Sequence, residues 1–491
     1  MIDIYKKLEE LQQRRKIVFR GGGSEKNTEQ HRKGKLTARE RIDTLVDEGS
    51  FIELYPFMKK SEDSTDPPGE GVVVGYATIN QKPIYVFAHD FTVRGGSLGE
   101  LQGKKIASMM DLAAKTKVPI IGLNESAGAR IQEGVTALDG YGQIFYRNVK
   151  YSGVIPQISI ILGPNAGGAV YSPALTDFII MVKDISQMYI TGPKVIEAIT
   201  KETVSAEELG GTYMHSVVNG NCHFLATDEL EAFQITTKLL TFIKSTTMSK
   251  QLTNKDYCGS LSDLVPSESG KTYDVIPIIE KIVDDGSFLE VHKFFAKNIV
   301  VGFASMLGKT IGVVSNQPKH MAGGIDSNAS DKAARFIRFC DCFDIPIITL
   351  EDVTGFYPGI RYEKEGIIRH GAKLVYAFAE ATVPKITVIL RKAYGGAFVA
   401  MNSKALGADL LFAWPNAEIA VMGPESASSV FETEEKDNQI LTTSPYYAAA
   451  KGMVDDIIDP RETRIKLIQS LIMLEHKKET GPNRKHGNIP L

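Results

Sequence analysis

Gly71-Val-Val-Val-Gly-Tyr-Ala-Thr-Ile79 returns as Asn298-Ile-Val-Val-Gly-Phe-Ala-Ser-Met306, 227 positions further on. The register runs without a gap to Val118-Pro-Ile-Ile-Gly-Leu123 against Ile345-Pro-Ile-Ile-Thr-Leu350. One residue more of offset aligns Gln157-Ile-Ser-Ile-Ile-Leu162 and Ala166-Gly-Gly-Ala169 with Lys385-Ile-Thr-Val-Ile-Leu390 and Tyr394-Gly-Gly-Ala397. A period this long belongs to a duplicated domain and not to a solenoid, whose units are 20–50 residues. Whatever the fold is, half the chain must be able to complete it.

Within each copy, short β-rich runs such as Ile158-Ser-Ile-Ile-Leu162 alternate with helical patterns such as Lys104 to Ala114. That alternation predicts an α/β layer architecture. Ile106, Met109, Met110 and Ala113 recur at helical spacing and are expected to pack on the sheet. A Ser, Asp, Lys and Gly-rich stretch at about Gln251 to Tyr273 lacks apolar periodicity, which places the boundary between domains 1–260 and 261–491.

Hydrophobic residues make up 43% of the 491 and charged residues 23%, the composition of a soluble globular protein. Lys+Arg 56 against Asp+Glu 59 gives a net charge of −3, so no overall field holds nucleic acid or an anionic membrane. The basic run from Met1 to Arg41 is accordingly read as a solvated helical arm. Cys222, Cys258, Cys340 and Cys342 have neither disulfide-framework nor zinc spacing, and the charged opening Met1 to Glu10 has no signal-peptide core. The cytoplasm is the expected compartment. Tyr151 to Thr176 carries no charge, but Pro156, Gln157, Pro164, Asn165, Gly167 and Gly168 interrupt it, so a buried strand, a turn and a helix start are expected in place of a membrane span.

The two copies share one feature with chemical content. Gly167-Gly168-Ala169 and Gly395-Gly396-Ala397 each follow a buried strand and open a helix. Without a Cβ, glycine lets backbone N–H groups approach a ligand, and the helix N-terminus adds a partial positive field, a combination suited to an anion or a developing oxyanion. A single such pair reads as a tight turn; the same tripeptide at the same strand end in both halves reads as function.

Other templates are weak. There is no phosphate-binding loop, no dinucleotide fingerprint and no His-Glu-x-x-His zinc pair, and no metal is expected. Leu123-Asn-Glu-Ser-Ala-Gly128 has Asn124 where a nucleophile elbow needs glycine, so Ser126 is read as structural. His370 is read as a packing histidine ahead of an acid or base, and Cys340 and Cys342 as small buried hydrophobes.

A resemblance covers nearly the whole chain. Its motifs are Lys35 to Arg41, Asp90-Phe-Thr-Val93, Gly95-Gly-Ser-Leu-Gly-Glu100, Gly128-Ala-Arg-Ile-Gln-Glu-Gly-Val135, Ala166-Gly-Gly-Ala-Val-Tyr-Ser-Pro-Ala174, Glu207-Glu-Leu-Gly-Gly211, Gly366-Ile-Ile-Arg-His-Gly-Ala-Lys373, Ala393-Tyr-Gly-Gly-Ala397 and Arg484 to Leu491. Together they resemble the carboxyltransferase subunit of biotin-dependent acyl-CoA carboxylases, nearest to propionyl-CoA carboxylase β subunits and the α subunit of methylmalonyl-CoA decarboxylase. The resemblance implies two tandem crotonase-like (ClpP/crotonase) ββα-spiral domains, assembled as a hexamer, a trimer of dimers. It implies acyl-CoA on the N-terminal domain and carboxybiotin on the C-terminal domain of the partner. Gly167, Gly168 and Ala169 would hold the thioester enolate, and Gly395, Gly396 and Ala397 the ureido oxygen of biotin. Ala127 and Gly128 on one side, and Tyr394 and Val399 on the other, would line the substrate walls. No biotinylation segment or ATP-grasp-like region is found, so the biotin carboxyl carrier protein and biotin carboxylase are expected on other chains.

Some positions depart from the family pattern. Ala127 stands where many relatives have Gly, Thr354 where they have Pro, and Arg94 where Phe is usual, and His320 to Asp326 is likewise unusual. Val399, where propionyl-CoA-preferring relatives often carry Asp, is the expected handle on the acyl group. Three readings follow: a carboxyltransferase for propionyl-CoA or acetyl-CoA, the soluble α subunit of a sodium-pumping methylmalonyl-CoA decarboxylase, and a catalytically inactive scaffold.

Overall fold

The computed structural model describes residues 4–61, 67–243, 248, 259, 261–268, 270–423 and 443–491. It divides into two compact units, Met1–Leu240 and Thr241–Leu491. This division falls ahead of the 260/261 boundary read from the sequence, and much of the expected linker lies outside the described residues, as does Cys258.

The first unit is built on β1 (Ile52–Leu54), β2 (Val72–Ile79), β3 (Lys82–His89), β4 (Ile120–Ser126), β5 (Gln157–Ala166), β6 (Phe178–Val182), β7 (Gln187–Tyr189) and β8 (Phe224–Ala226). The strands run in the order β1-β2-β3-β4-β5-β6-β8, with β7 added to the end of β5. In the second unit β9 (Leu289–Val291), β10 (Ile299–Met306), β11 (Lys309–Asn316), β12 (Ile347–Val353), β13 (Lys385–Tyr394), β14 (Leu410–Ala413), β15 (Glu418–Ala420) and β16 (Asp456–Ile457) repeat that order strand for strand.

The agreement extends to detail. β2–β3 and β10–β11 are antiparallel hairpins whose two-residue turns, Asn80-Gln81 and Leu307-Gly308, both lie at positive φ, the twist that suits tight hairpins. From β3 and β11 onward the ladders are parallel, and every residue of β4 and β12 is buried because both faces are covered. The pairing of β4 with β5 slips between Asn124 and Ser126, and that of β12 with β13 slips between Glu351 and Val353. Such irregularities re-aim the chain beside active sites.

The apolar face of Glu100–Thr116, with Ile106, Met109, Met110 and Ala113 buried, packs in a core with Val72, Val74, Leu98, Tyr141 and Ile144. In the second unit Ser327–Cys342 takes the same place, its N-terminus capped by the Asp326 carboxylate accepting from Ala329 N–H at 2.9 Å. Each of these helices carries a buried lysine 227 positions from the other. Lys105 donates to the carbonyls of Gly69 and Val72, and Lys332 to those of His292, Phe295, Ala296 and Ile299. Burial pulls the first down to about 8 and the second to about 7.

Tyr151 to Thr176 forms β5, a turn and the helix Gly168–Leu175 as expected, and among the described residues no helix is long and apolar enough to cross a membrane. Two charge and cysteine readings need correcting. Ile4–Arg20 is largely exposed, but the arm is not solvated throughout: Lys35 is 7% and Arg41 1% exposed. Both reach the fully buried Glu125, and Arg41 also pairs with Glu229 at 2.7 Å. Such partners offset the cost of burying a carboxylate this deep. Cys340 is buried, whereas Cys342 is exposed and does not act as a core hydrophobe.

Candidate active site

In the first unit, β5 ends at Ala166 and Gly167 turns the chain at φ 58°, a conformation that costs glycine nothing. Its N–H donates to the Ile190 carbonyl at 3.0 Å, which pins the turn against the end of β7. Gly168 and Ala169 are the first two residues of the helix that follows, where amides have no intrahelical acceptor. A Cβ on Gly168 would lie 2.8 Å from the Tyr141 ring, so this turn is packed from beneath.

Ala127 and Gly128 reach the turn from the neighbouring strand end. A Cβ on Gly128 would sit 2.9 Å from the Ala166 carbonyl oxygen, and Gly128 takes φ 98°. The Ala127 N–H donates to Gly95 O at 2.9 Å, and the Ser126 hydroxyl donates to Gly96 O at 2.8 Å while accepting from Gly128 N–H. Ser126 is fully buried, a structural serine holding loops together. The four expected residues Ala127, Gly128, Gly167 and Gly168 are therefore adjacent, with the Arg94-Gly95-Gly96 loop against them.

That loop was not singled out as a conformational feature from sequence, although its geometry is unusual. Arg94, Gly95 and Gly96 are all left-handed, at φ 50°, 63° and 62°. Met321, Ala322 and Gly323 repeat this at 49°, 50° and 76° in the second unit, so two non-glycine residues hold αL conformations there. Such backbone costs of order 1–3 kcal/mol per residue and clusters where function requires it.

The second turn has the same frame and a different floor. Gly395 takes φ 62° after β13, and Gly396 and Ala397 follow as the first ordinary helical residues. Among the described residues a Cβ on Gly396 would meet nothing within 4 Å, whereas its counterpart at Gly168 is filled by Tyr141. Tyr394 is buried, with its hydroxyl on the Glu418 carboxylate and its acidity suppressed by burial and that neighbour. Val399, on the same short helix, is 39% exposed. Gly355, at φ 138°, accepts from Ile325 N–H as Gly128 does from Leu98. Thr354 donates its hydroxyl to the Ala322 carbonyl at 3.4 Å.

Buried acids flank both sites. Glu125 is answered by Lys35 and Arg41, and Asp352 by Arg391 at 3.1 Å. Glu351 is fully buried with neither carboxylate oxygen hydrogen-bonded, and burial beside Asp352 raises its pKa well above the ordinary range. Buried His89 is pushed down to about 4 and stays neutral. His370 Nδ1 lies 2.7 Å from Asp331, beside Lys373 on the Ile367–Glu380 helix.

What the two turns can do is bind two oxygens that gain negative charge, one at each strand end. Comparison with known proteins identifies the family of the chain. The family model described as carboxyl transferase domain matches residues 29–489. The chain belongs to that family. It is therefore a biotin-dependent carboxyltransferase. A putative propionyl-CoA carboxylase beta chain of Bacillus subtilis (strain 168) is 58% identical over 97% of this chain and 98% of its own length. A methylmalonyl-CoA decarboxylase subunit alpha of Veillonella parvula is 50% identical over 100% of both. A crystal structure of the transcarboxylase 12S hexamer with methylmalonyl-coenzyme A and methylmalonic acid bound shares 47% identity and a TM-score of 0.96, covering 100% of this chain and 99% of that one. The two sheets are thus the crotonase-like domains that the resemblance implied.

Proposed function

We propose that this carboxyltransferase moves a carboxyl group between carboxybiotin on a separate carrier protein and the α-carbon of a short-chain acyl-CoA. Propionyl-CoA and methylmalonyl-CoA are the favoured pair, as the names of full-length relatives suggest. The observation that carries this reading is the duplicated strand–turn–helix, which offers one set of amides to each of two oxygens.

On this reading the first unit is the acyl side. Gly168 and Ala169 N–H groups face the thioester oxygen as the α-carbon loses its proton, and Ala127 and Gly128 wall the thioester. The second unit is the biotin side, where Gly396 and Ala397 N–H groups face the ureido oxygen and Tyr394 and Val399 line the pocket. No atom of the described residues lies within 4 Å of a Cβ on Gly396, room that a bulky ring held against the turn would take. Biotin supplies the carboxyl group by giving up its N–C bond and takes the α-proton in exchange, so no side-chain base is required. The protein contributes preorganised donors and proximity, and removing one oxyanion donor elsewhere costs about 2.7–4 kcal/mol of barrier.

A biotin carboxyl carrier protein and a biotin carboxylase subunit supply the carboxyl donor, the chain assembles as a hexamer, and it works in the cytoplasm. The relative named as a decarboxylase subunit supports a second reading, in which the same transfer runs from methylmalonyl-CoA to biotin.

The test is biotin-dependent release of CO2 from malonyl-CoA and methylmalonyl-CoA by the purified chain. Faster turnover of methylmalonyl-CoA is expected, and turnover indifferent to biotin overturns the two-substrate reading. Supplying a biotinylated carrier with biotin carboxylase, or with a membrane decarboxylase subunit, separates the two directions.

A further inference from the structure

In the second unit two helices start from the strand ends beside its turn: Ser327–Cys342 comes after β11 and Ile367–Glu380 after β12. At those starts their side chains are joined. His370 Nδ1 lies 2.7 Å from Asp331 Oδ2, and Lys373 Nζ lies 3.0 Å from the other carboxylate oxygen. Arg369 donates to His370 Nε2 at 3.2 Å, which assigns the ring proton to Nδ1 and makes His370 the donor to Asp331. His370 and Lys373 are only 17% and 18% exposed, so the clasp lies between the helices and not on their outer faces.

The duplication supplies an internal comparison. Farther along, both helix pairs are tied alike: Arg147 donates to Asp111 at 2.8 Å in the first unit, and Arg338, 227 positions after Asp111, pairs with Glu380 in the second. At the starts they differ. In the first unit Lys104 stands at the place of Asp331, and the helices close through glycine, a Cβ on Gly103 falling 2.5 Å from the Gly140 Cα. Ser330 replaces Gly103 in the second unit, and the Asp331, His370 and Lys373 side chains make the closure there.

Position connects this clasp to the second turn. A Cβ on Gly371, next to His370, would lie 2.8 Å from the Phe356 ring, so the helix rests on that ring. Phe356 bridges Ile325, whose N–H donates to Gly355 O at 3.0 Å and whose carbonyl accepts from Tyr357 N–H at 2.8 Å. The segment Thr354-Gly355-Phe356 is thus held between the loop that leads into one helix and the first turns of the other. The pairing of β12 with β13 ends at Val353 and Ala393, which sets this segment beside Tyr394 and Gly395, and the Ile367–Glu380 helix also packs on the Gly395–Ala400 helix.

We propose that His370 is a positioning residue for the transfer: by holding Asp331 it locks the two helix starts together and so fixes the Gly355-Phe356 wall beside the second glycine turn, against which the biotin ring is held. This rests on the reading of the second unit as the biotin side. It accounts for a histidine that no step of the transfer uses as acid or base, and for a clasp found at this end of only one of the two copies.

The test uses H370A, D331A, the H370A/D331A double variant and H370N, whose amide can replace the Nδ1–H donor. A partly exposed pair adds little to global stability, so all four are expected to melt with the wild type. Hydrogen exchange of the Gly355 to Tyr357 amides is expected to quicken in H370A and D331A and to stay at the wild-type rate in H370N. In biotin-dependent decarboxylation of methylmalonyl-CoA, the biotin concentration for half-maximal rate is expected to rise roughly tenfold in H370A and D331A, while the KM for methylmalonyl-CoA holds. The double variant is expected to be no worse than either single one, because both break the same contact. Unchanged exchange and an unchanged biotin requirement in H370A overturn the proposal, as does an H370N enzyme as impaired as H370A. A loss shared equally by both substrates with a lowered melting temperature also overturns it, since that is the mark of a merely structural residue. If wild-type turnover is indifferent to biotin, the biotin-side reading itself has failed. Hydrogen exchange then still decides the clasp: quickened exchange in H370A supports it and wild-type exchange overturns it.

Discussion

Gly168 and Gly396 occupy corresponding places with opposite surroundings. Under Gly168 the Tyr141 ring already fills the space a Cβ would need. Gly168→Ala is therefore expected to lower stability by about 1–3 kcal/mol, the usual cost of overpacking, measured by urea unfolding. Trimming the ring in a Gly168→Ala/Tyr141→Leu variant is expected to return part of the loss to the turn. If Gly168→Ala is as stable as wild type, the packed floor is misassigned. At the same scale, Glu351 is a buried acid without a hydrogen-bonding partner. Unfolded, it ionises near the ordinary 4.5; folded, burial holds its proton to higher pH. The folded state then binds more protons, so this group's contribution to stability is present below pH 4.5 and is lost as pH rises towards the folded pKa. Glu351→Gln is expected to be more stable than wild type at neutral pH, with the gap closing as pH falls towards 4.5. Thermal melts across that range check it, and a gap that widens on acidification would contradict it.

At the scale of elements, the segment from Gln30 to Arg41 is tied into the sheet by one carboxylate. Gln30, Lys35 and Arg41 all converge on Glu125 at the end of β4. Glu125→Gln leaves two buried cations short of a partner, and a loss of about 3–5 kcal/mol is expected from urea unfolding. An effect below about 1 kcal/mol, the value of a surface pair, would mean that the arm is held by other contacts. This network shows where sequence reading stops. Lys35 lies 90 residues from Glu125, and Arg41 188 from Glu229, so nothing local distinguishes these charges from solvated ones. The strand and helix patterns were legible because their periodicity is local. The paired lysines were legible in principle, since Lys105 and Lys332 share the 227-residue offset, but only the structure shows the carbonyls that surround them.

For the whole molecule, duplication was the strongest signal, and the two sheets repeat strand order, hairpin turns and ladder slip together. The sequence therefore disclosed the frame and the place of both glycine turns. It did not disclose that one turn is floored by an aromatic ring while the other meets no such ring among the described residues, because Tyr141 is brought to Gly168 only by folding. That difference offers the most direct test of the two-turn account. Gly396→Val places its side chain where no atom of the described residues lies within 4 Å of the Cβ, so the variant is expected to fold with wild-type melting temperature and wild-type affinity for methylmalonyl-CoA. The measurement is transfer of labelled carboxyl from methylmalonyl-CoA to a biotinylated carrier. The backbone N–H at position 396 is kept, but the added side chain bars the oxygen from reaching it, and a fall of at least about 100-fold is expected, the scale of losing an oxyanion donor. Transfer at the wild-type rate by a folded, CoA-binding Gly396→Val enzyme would contradict the account.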